Sequence, residues 1–358
     1  MKTSSISSQT IQNAMRLTIS DAQKQMVDLQ KEVTTGEYAD VGTQLGAQTS
    51  SAVDLTRDSL RLQSLSDANS IADTRLSASQ AALDQILSAA QTLQSTYVSI
   101  GNNTDNATLT TAQQTATNAL NTFTSAANTS ANGEYLFSGI NTDVKPMADY
   151  NAVDSDGNVS SAKQAFDDAF QSYFGMSVND SATSSITSDQ MKDFLENTLE
   201  PMFTTDTSGW TDNWSSASDT TVSSRISKTE VVQTSSTANS NGFRYMGLAS
   251  VIGEEMLSMN LSTDTRSTMV NKAIDYTGKA ITGIQNEQTQ LGLSQQRIKD
   301  ANDSLSSQKD IIETQLTSLT GVDAYEASTK LNNLQSLIET SYTLTARLQK
   351  LSLVDYLS

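Results

Sequence analysis

The residues that could do chemistry in this chain are carboxylates and hydroxyls, because the sequence contains no cysteine and no histidine. That absence removes thiol nucleophiles, disulfides, Cys/His zinc sites and histidine-based catalytic triads. The many Ser and Thr hydroxyls have neither a histidine nor an evident Ser–Lys arrangement to activate them. The sequence also has no Walker-type phosphate loop and no dinucleotide-binding glycine motif. We therefore expect a protein that is not an enzyme and has no catalytic or cofactor-binding residues and no cofactor.

One run of carboxylates has the spacing of a metal site, at Asp154–Asn158 with the sequence DSDGN. It resembles the start of a calcium-binding loop, which needs further ligands and a glutamate at the twelfth position. Ala165 stands at that position here. A turn is therefore the better interpretation, and we expect no metal ligands in this chain. Trp210 and Trp214 are a candidate binding patch, but such residues more often form the core of a small domain.

The charge balance of the chain limits the kinds of partner that it can bind. The chain has 40 acidic and 22 basic residues, a formal net charge of −18. Nucleic acid is an unsuitable partner, since phosphate binding needs clustered Lys and Arg. No run of apolar residues is long enough for a transmembrane helix, so no membrane contact is expected. The first residues lack the apolar core of a secretory signal peptide, so export would use another route.

Helical periodicity dominates both ends of the sequence, and only two prolines interrupt it. Near the N-terminus, two apolar rows with heptad spacing predict a two-stranded seam that ends at Gly36. A second heptad pattern predicts a long helix over Leu62–Ile100 that ends at Gly101. Thr110 and Gln113 match a capping box, which predicts that a third helix begins near Leu109.

Residues 141–241 are richer in Ser, Thr, Asp and Asn, and they contain both prolines and both tryptophans. Short helices and a pair of strands are expected there. The helical pattern returns at Gly242, and another long helix is expected to end at Thr320–Gly321. Asp323 with Glu326 then predicts the start of the last helix.

The pattern predicts a mainly α fold: an elongated rod of long antiparallel helices from the N- and C-terminal parts, with a small α/β insertion domain in the middle. Three parts follow from it. Residues 1–45 with 321–358 form a terminal helical, coiled-coil domain, residues 46–140 with 242–320 form the long-helix rod, and residues 141–241 form the solvent-facing insertion. A thin rod buries little apolar area per residue, so further subunits are expected to cover its seams.

Two segments carry a family resemblance. NGEYLFSGINTDVKP (Asn132–Pro146) and STKLNNLQSLIETSYTLTARLQKLSLVDYL (Ser328–Leu357) resemble segments of the bacterial flagellar hook–filament junction proteins, the third hook-associated proteins, which are relatives of flagellin. The likeness extends over essentially the whole chain. One departure is the loop after Gly36, which lacks the adjacent aspartates that are common in relatives.

The resemblance implies a structural role in motility. A protein of this kind is secreted by the flagellar type III system and forms a homo-oligomeric ring of about eleven subunits, a closed cyclic assembly. It joins hook to filament outside the cell. Its implied partners are other copies of itself, the adjacent hook-associated protein, flagellin and an export chaperone. Two alternatives stay open: flagellin itself, the filament subunit, or a soluble coiled-coil signalling module.

The terminal apolar rows are the predicted assembly interface. The C-terminal rows are doubled, which widens the apolar face beyond a two-stranded seam and favours contact with more than one helix. A private pair between the first and last helices is the alternative. The predicted interface residues are Met15, Ile19, Met26, Leu29, Val33, Leu331, Leu334, Leu337, Ile338, Leu344, Leu348, Leu351, Leu353, Tyr356 and Leu357.

Overall fold

The structure is a computed structural model that describes the backbone of residues 8–101, 105–205 and 209–357, with side chains except at 8, 9, 12 and 348–357. This part of the chain is mainly helical with small two-stranded sheets, which confirms the prediction of a mainly α fold. The chain forms two compact units. One contains residues 1–64 and 304–358, and the other contains residues 65–303.

The first unit is built from both ends of the sequence. It contains α1 (Ser8–Thr35), α2 (Val41–Leu45), a 3-10 turn (Gly46–Gln48) and α11 (Ala324–Leu357). It also contains the start of α3 (Thr49–Ile100) and the end of α10 (Thr263–Thr320). The predicted start of α3 at Leu62 is wrong. The helix begins at Thr49, because Ala52 already supplies a buried position in the added turns.

Pairing between α3 and α10 is antiparallel. In the first unit, the Lys309 ammonium donates a hydrogen bond to Gln63 Oε1 at 2.7 Å. In the second unit, Asn69 Nδ2 donates to Asn302 Oδ1 at 2.8 Å, and Gln80 Nε2 donates to the Gln288 carbonyl at 2.7 Å. Residue numbers rise along one helix as they fall along the other, which confirms the predicted antiparallel arrangement.

Helix α4 (Asn106–Ala127) begins earlier than predicted, and the capping box at Thr110 and Gln113 is wrong. Asp105 is the N-cap, and its carboxylate accepts the Thr108 N–H at 2.9 Å. Thr110 instead lies inside the helix, where its hydroxyl donates to the Asn106 carbonyl. A carboxylate suits this position because its charge interacts favourably with the positive end of the helix dipole.

The remaining elements of the second unit are short. A hairpin pairs β1 (Ser130–Ala131) with β2 (Glu134–Tyr135), and a second antiparallel pair joins β3 (Ser223–Arg225) to β4 (Val231–Gln233). The helices are α5 (Ser161–Phe174), α6 (Ser188–Asp193), α7 (Glu200–Thr204), α8 (Trp210–Asn213) and α9 (Asn241–Val251). Two π turns, Phe194–Leu199 and Ile252–Met256, follow α6 and α9.

One hydrophobic core runs through the second unit. It contains leucines of α3, aromatic residues of the 141–241 segment, and α9 and α10 side chains such as Phe243 and Tyr276. The 141–241 segment therefore lies inside this unit and shares its core, and its independence as a domain stays a prediction. No helix in the described residues is long and apolar enough to cross a membrane.

Candidate assembly surface of the terminal helices

Helices α1 and α11 pack against each other within the first unit, and backbone hydrogen bonds tie them together where α1 ends and α11 begins. The Tyr38 N–H donates to the Thr320 carbonyl at 2.9 Å, and the Val322 N–H donates to the Gly36 carbonyl at 2.9 Å. Glu37 and Gly321 form an antiparallel bridge between these two bonds. These bonds fix the end of α1 beside the segment that leads into α11, so they set the alignment of the two helices.

Glycines allow this close approach. Gly36 has φ +75°, a left-handed conformation that ends α1 at the predicted residue. A Cβ on Gly321 would lie 2.4 Å from the Thr317 carbonyl oxygen, closer than carbon and oxygen can approach. Asp323 then caps α11, accepting the N–H groups of Tyr325 at 2.9 Å and Glu326 at 3.2 Å, so the predicted cap is confirmed.

Side-chain contacts continue the pair toward the other end of α1. Gln23 Nε2 donates to the Tyr342 hydroxyl at 3.1 Å, and the Thr345 hydroxyl lies 3.8 Å from the Met15 sulfur. Low numbers in α1 meet high numbers in α11, so the two helices are antiparallel. These polar contacts are few. Burial of apolar side chains between α1 and α11 is therefore the main interaction that stabilises the pair.

The seam between α1 and α11 is only partly covered. Ala22, Ala327 and Ile338 are buried, with 5%, 2% and 8% exposure. The other seam residues are half-buried, because two helices alone cannot enclose both flanks of a heptad row. The half-buried predicted residues are Met15, Ile19, Met26, Leu29, Val33, Leu331 and Leu334.

A second apolar row on α11 faces away from this seam. Leu337 and Leu344 lie seven residues apart and are each 47% exposed. Because Ile338 beside Leu337 is buried in the seam, the neighbouring residue must point to another side of the helix. The structure therefore places Ile338 in the pair with α1, and Leu337 and Leu344 outside it.

Other exposed apolar residues in this unit escaped the sequence prediction. Leu17 and Val27 of α1 are 67% and 62% exposed, and Tyr325 and Tyr342 of α11 are also exposed. None of these four residues belongs to the heptad rows. Their sequence signal is a large apolar side chain at a position that the heptad pattern assigns to the exposed side of the helix. The side chains of the predicted residues Leu348, Leu351, Leu353, Tyr356 and Leu357 lie outside the described residues.

Charged groups on α11 form local pairs. The Lys330 ammonium lies 2.8 Å from the Glu326 carboxylate one turn away, and both side chains are exposed. The hydrogen bond with Glu326 and its charge raise the pKa of Lys330. Such exposed pairs contribute little to stability, so apolar burial is the main driving force that this surface offers.

The two other candidate sites have structural explanations. The Asp154 carboxylate accepts the N–H groups of Asp156 and Asn158 at 2.9 and 2.8 Å, and the Asn158 side-chain amide adds a third donor. These hydrogen bonds hold the pKa of Asp154 below its usual range. They form a turn, and in the described part of the chain no three His, Cys, Asp or Glu residues are placed to hold a metal ion.

Trp210 and Trp214 are core residues, as expected. Their rings stack with centroids 5.5 Å apart, and the side chains are 1% and 4% exposed. Trp210 Nε1 donates to Asn239 Oδ1 at 3.1 Å, which satisfies the buried indole N–H. Trp214 also stacks on Tyr150 at 5.1 Å. The aromatic patch is therefore enclosed by its own unit.

Comparison with solved structures shows the same fold in a candidate flagellar hook-associated protein from Vibrio parahaemolyticus. The superposition covers 77% of this chain and 99% of that chain, with a TM-score of 0.52 and 10% sequence identity. A comparison with curated protein sequences finds no match. At this identity the structural likeness concerns the fold alone.

Family comparisons match both ends of the sequence. Residues 6–142 match the bacterial flagellin N-terminal helical region, and residues 274–357 match the bacterial flagellin C-terminal helical region. The matched regions include α1 and α11, the helices that pair in the first unit. The chain therefore belongs to the bacterial flagellin family of flagellar structural proteins.

Proposed function

We propose that this chain is the adaptor subunit of the hook–filament junction, which assembles into a ring of about eleven copies through its terminal helices, a closed cyclic arrangement. The observation that carries the proposal is the exposed row of Leu337 and Leu344 on α11, whose adjacent residue Ile338 is already buried against α1. Contiguous apolar patches on an otherwise polar surface are typical of sites that bind other chains.

The junction position is supported by two likenesses. The segments Asn132–Pro146 and Ser328–Leu357 resemble those of junction proteins, and the solved protein with the same fold is described as a candidate hook-associated protein. The proposed partners are the adjacent hook-associated protein on one side and flagellin on the other. An export chaperone holds the C-terminal helix before secretion by the flagellar type III system.

Flagellin itself is the second candidate, since the two matched family regions are those of flagellin. The two functions differ in copy number and position. A labelled chain should decorate one end of an isolated filament if it is the adaptor, and the whole filament if it is flagellin. Label along the full length would overturn the adaptor proposal.

The assembly surface is tested by adding charge to the exposed row. Leu337→Asp and Leu344→Asp each place a carboxylate where a neighbouring subunit would bury it, and an unpaired buried charge is strongly unfavourable. We expect secreted chains that do not support filament growth. Asn332→Asp is the matched control, because it adds the same charge at an exposed position on another side of α11.

The amount of the variant protein in the culture medium distinguishes a defect in assembly from a defect in export. A variant that is secreted but unassembled supports the assembly surface, whereas a variant retained in the cell points to the chaperone or the export step. Normal filaments from a secreted Leu337→Asp, Leu344→Asp double variant would show that this row is not an assembly interface.

A further inference from the structure

Two adjacent glutamates stand in the π turn Ile252–Met256, where the second unit packs tightly. The Glu255 carboxylate forms an ion pair with the Lys163 ammonium of α5, and these side chains are only 10% and 26% exposed. The Oε2 oxygen of Glu254 is buried and has no hydrogen-bond donor among the residues that the structure describes. An ionised carboxylate oxygen in that position loses hydration without replacement.

The charges around this turn are unbalanced. The charges of Glu255, Lys163 and Asp149 act on the Glu254 carboxyl group. From α5, Asp167 and its neighbour Asp168 add two more carboxylates.

One further cation lies beside the end of the turn: the Arg266 guanidinium donates to the carbonyls of Leu257 at 2.9 Å and Met259 at 3.0 Å. Tyr150 brings an uncharged ring, which lies 5.4 Å from Lys163 Nζ. Helix α4 also packs on the turn, and it contains no charged residue. Arg266 is thus bonded to backbone carbonyls, whereas Lys163 is ion-paired with one of the carboxylates.

Burial is the main cause that raises the pKa of Glu254, and the charge of Glu255 adds to it. Burial also raises the pKa of Asp167. A carboxyl group whose pKa is higher in the folded state stabilises that state most below its ordinary pKa. This stabilisation is lost as the pH rises through the raised value.

We propose that Asp149, Asp167, Glu254 and Glu255 form, together with Lys163, a proton-dependent latch that holds α5 against the π turn more firmly as the pH falls. When all four carboxylates are ionised, their repulsion exceeds what a single lysine can neutralise. Uptake of a proton by Glu254 or Asp167 removes one buried charge and leaves the Lys163–Glu255 pair intact.

The test measures amide hydrogen exchange of α5 in the full chain at about pH 4 and about pH 8, corrected for the intrinsic pH dependence of exchange. In the natural sequence, protection of residues 161–174 should be several-fold higher at the lower pH. Glu254→Gln and Asp167→Asn should each remove most of that difference. Asp143→Asn, at an exposed position of the same segment, should leave it unchanged.

Equal protection at the two pH values in the natural sequence would overturn the latch, as would an undiminished difference in the Glu254→Gln variant. If Glu254→Gln fails to fold, as judged by far-UV circular dichroism, Asp167→Asn decides. This residue lies on the other side of the contact, so an undiminished difference in that variant likewise overturns the proposal.

Discussion

Gly242 of α9 and Gly283 of α10 bring two helix backbones into direct contact. A Cβ on Gly283 would lie 2.5 Å from the Gly242 Cα, and a Cβ on Gly242 would lie 2.6 Å from the Ile284 nitrogen. Any side chain at either position would force the helices apart. This contact explains why the second residue of α9 is a glycine.

Gly283→Ala should destabilise the second unit by about 1–3 kcal/mol, the usual range for overpacking a tight contact. Gly278→Ala on the same helix is the control, because its Cβ would meet only Gln94 Nε2 at an ordinary 3.6 Å. That variant should gain about 0.5–1 kcal/mol from helix propensity. Urea unfolding compares the two, and equal effects of the same sign would contradict the backbone contact.

Ile338 and Leu337 should respond differently to truncation, although they are adjacent. Ile338→Ala removes a side chain buried in the α1–α11 seam and should cost about 2 kcal/mol. Leu337→Ala removes an exposed one and should cost about 0.5 kcal/mol or less. Amide exchange of α1 in the unassembled chain reports the difference. Faster exchange in the Leu337 variant than in the Ile338 variant would reverse our assignment of the two faces.

Glu200 holds the 141–241 segment to α9 and α10. Its carboxylate accepts hydrogen bonds from Tyr245 at 2.9 Å, Tyr276 at 3.0 Å and Lys279 at 3.2 Å. Glu200→Ala removes the acceptor of Tyr245, while Tyr276 keeps the Leu195 carbonyl at 3.2 Å and Lys279 keeps the Asp275 carboxylate at 3.1 Å. Losing three hydrogen bonds to a charged group should still destabilise the second unit by about 2 kcal/mol. Denaturant unfolding measures this, with Asp300→Ala on the exposed side of α10 as a control. An effect no larger than the control would mean that water replaces the carboxylate.

Glu287 of α10 makes the stability of the second unit depend on pH, and the direction of this dependence follows from its surroundings. Burial raises its pKa, although the hydrogen bond from the Ser236 hydroxyl acts in the opposite direction. Its contribution to stability is therefore greatest below the ordinary glutamate pKa and is lost as the pH rises through the raised value. Glu287→Gln should unfold at a higher temperature than the natural sequence at about pH 8, and the gap should shrink toward about pH 4. A gap that widens in acid would contradict the raised pKa.

Local signals in the sequence predict much of this fold. Gly36, Gly101 and Thr320–Gly321 end helices where expected, and Asp323 begins one, because these residues act on the backbone next to them. Competition between neighbours is harder to predict. Thr110 matches a capping box, yet Asp105 takes the cap.

Contacts between distant residues escape the sequence entirely. Glu200 meets Tyr276 across 76 positions, and no periodicity links them. The apolar rows of α1 and α11 are periodic, so the sequence predicts them. Which of the neighbours Leu337 and Ile338 is buried depends on where α1 lies, and the sequence does not show that.

The pairing of α1 with α11 also sets an order in time. The first helix of the chain obtains its partner only when the last has been made, so this pair forms after nearly every other contact is available. Closing so long a loop is slow compared with local helix formation. Until then the apolar row of α1 has no cover from its own chain, so the first unit is complete only after α11 has folded onto α1.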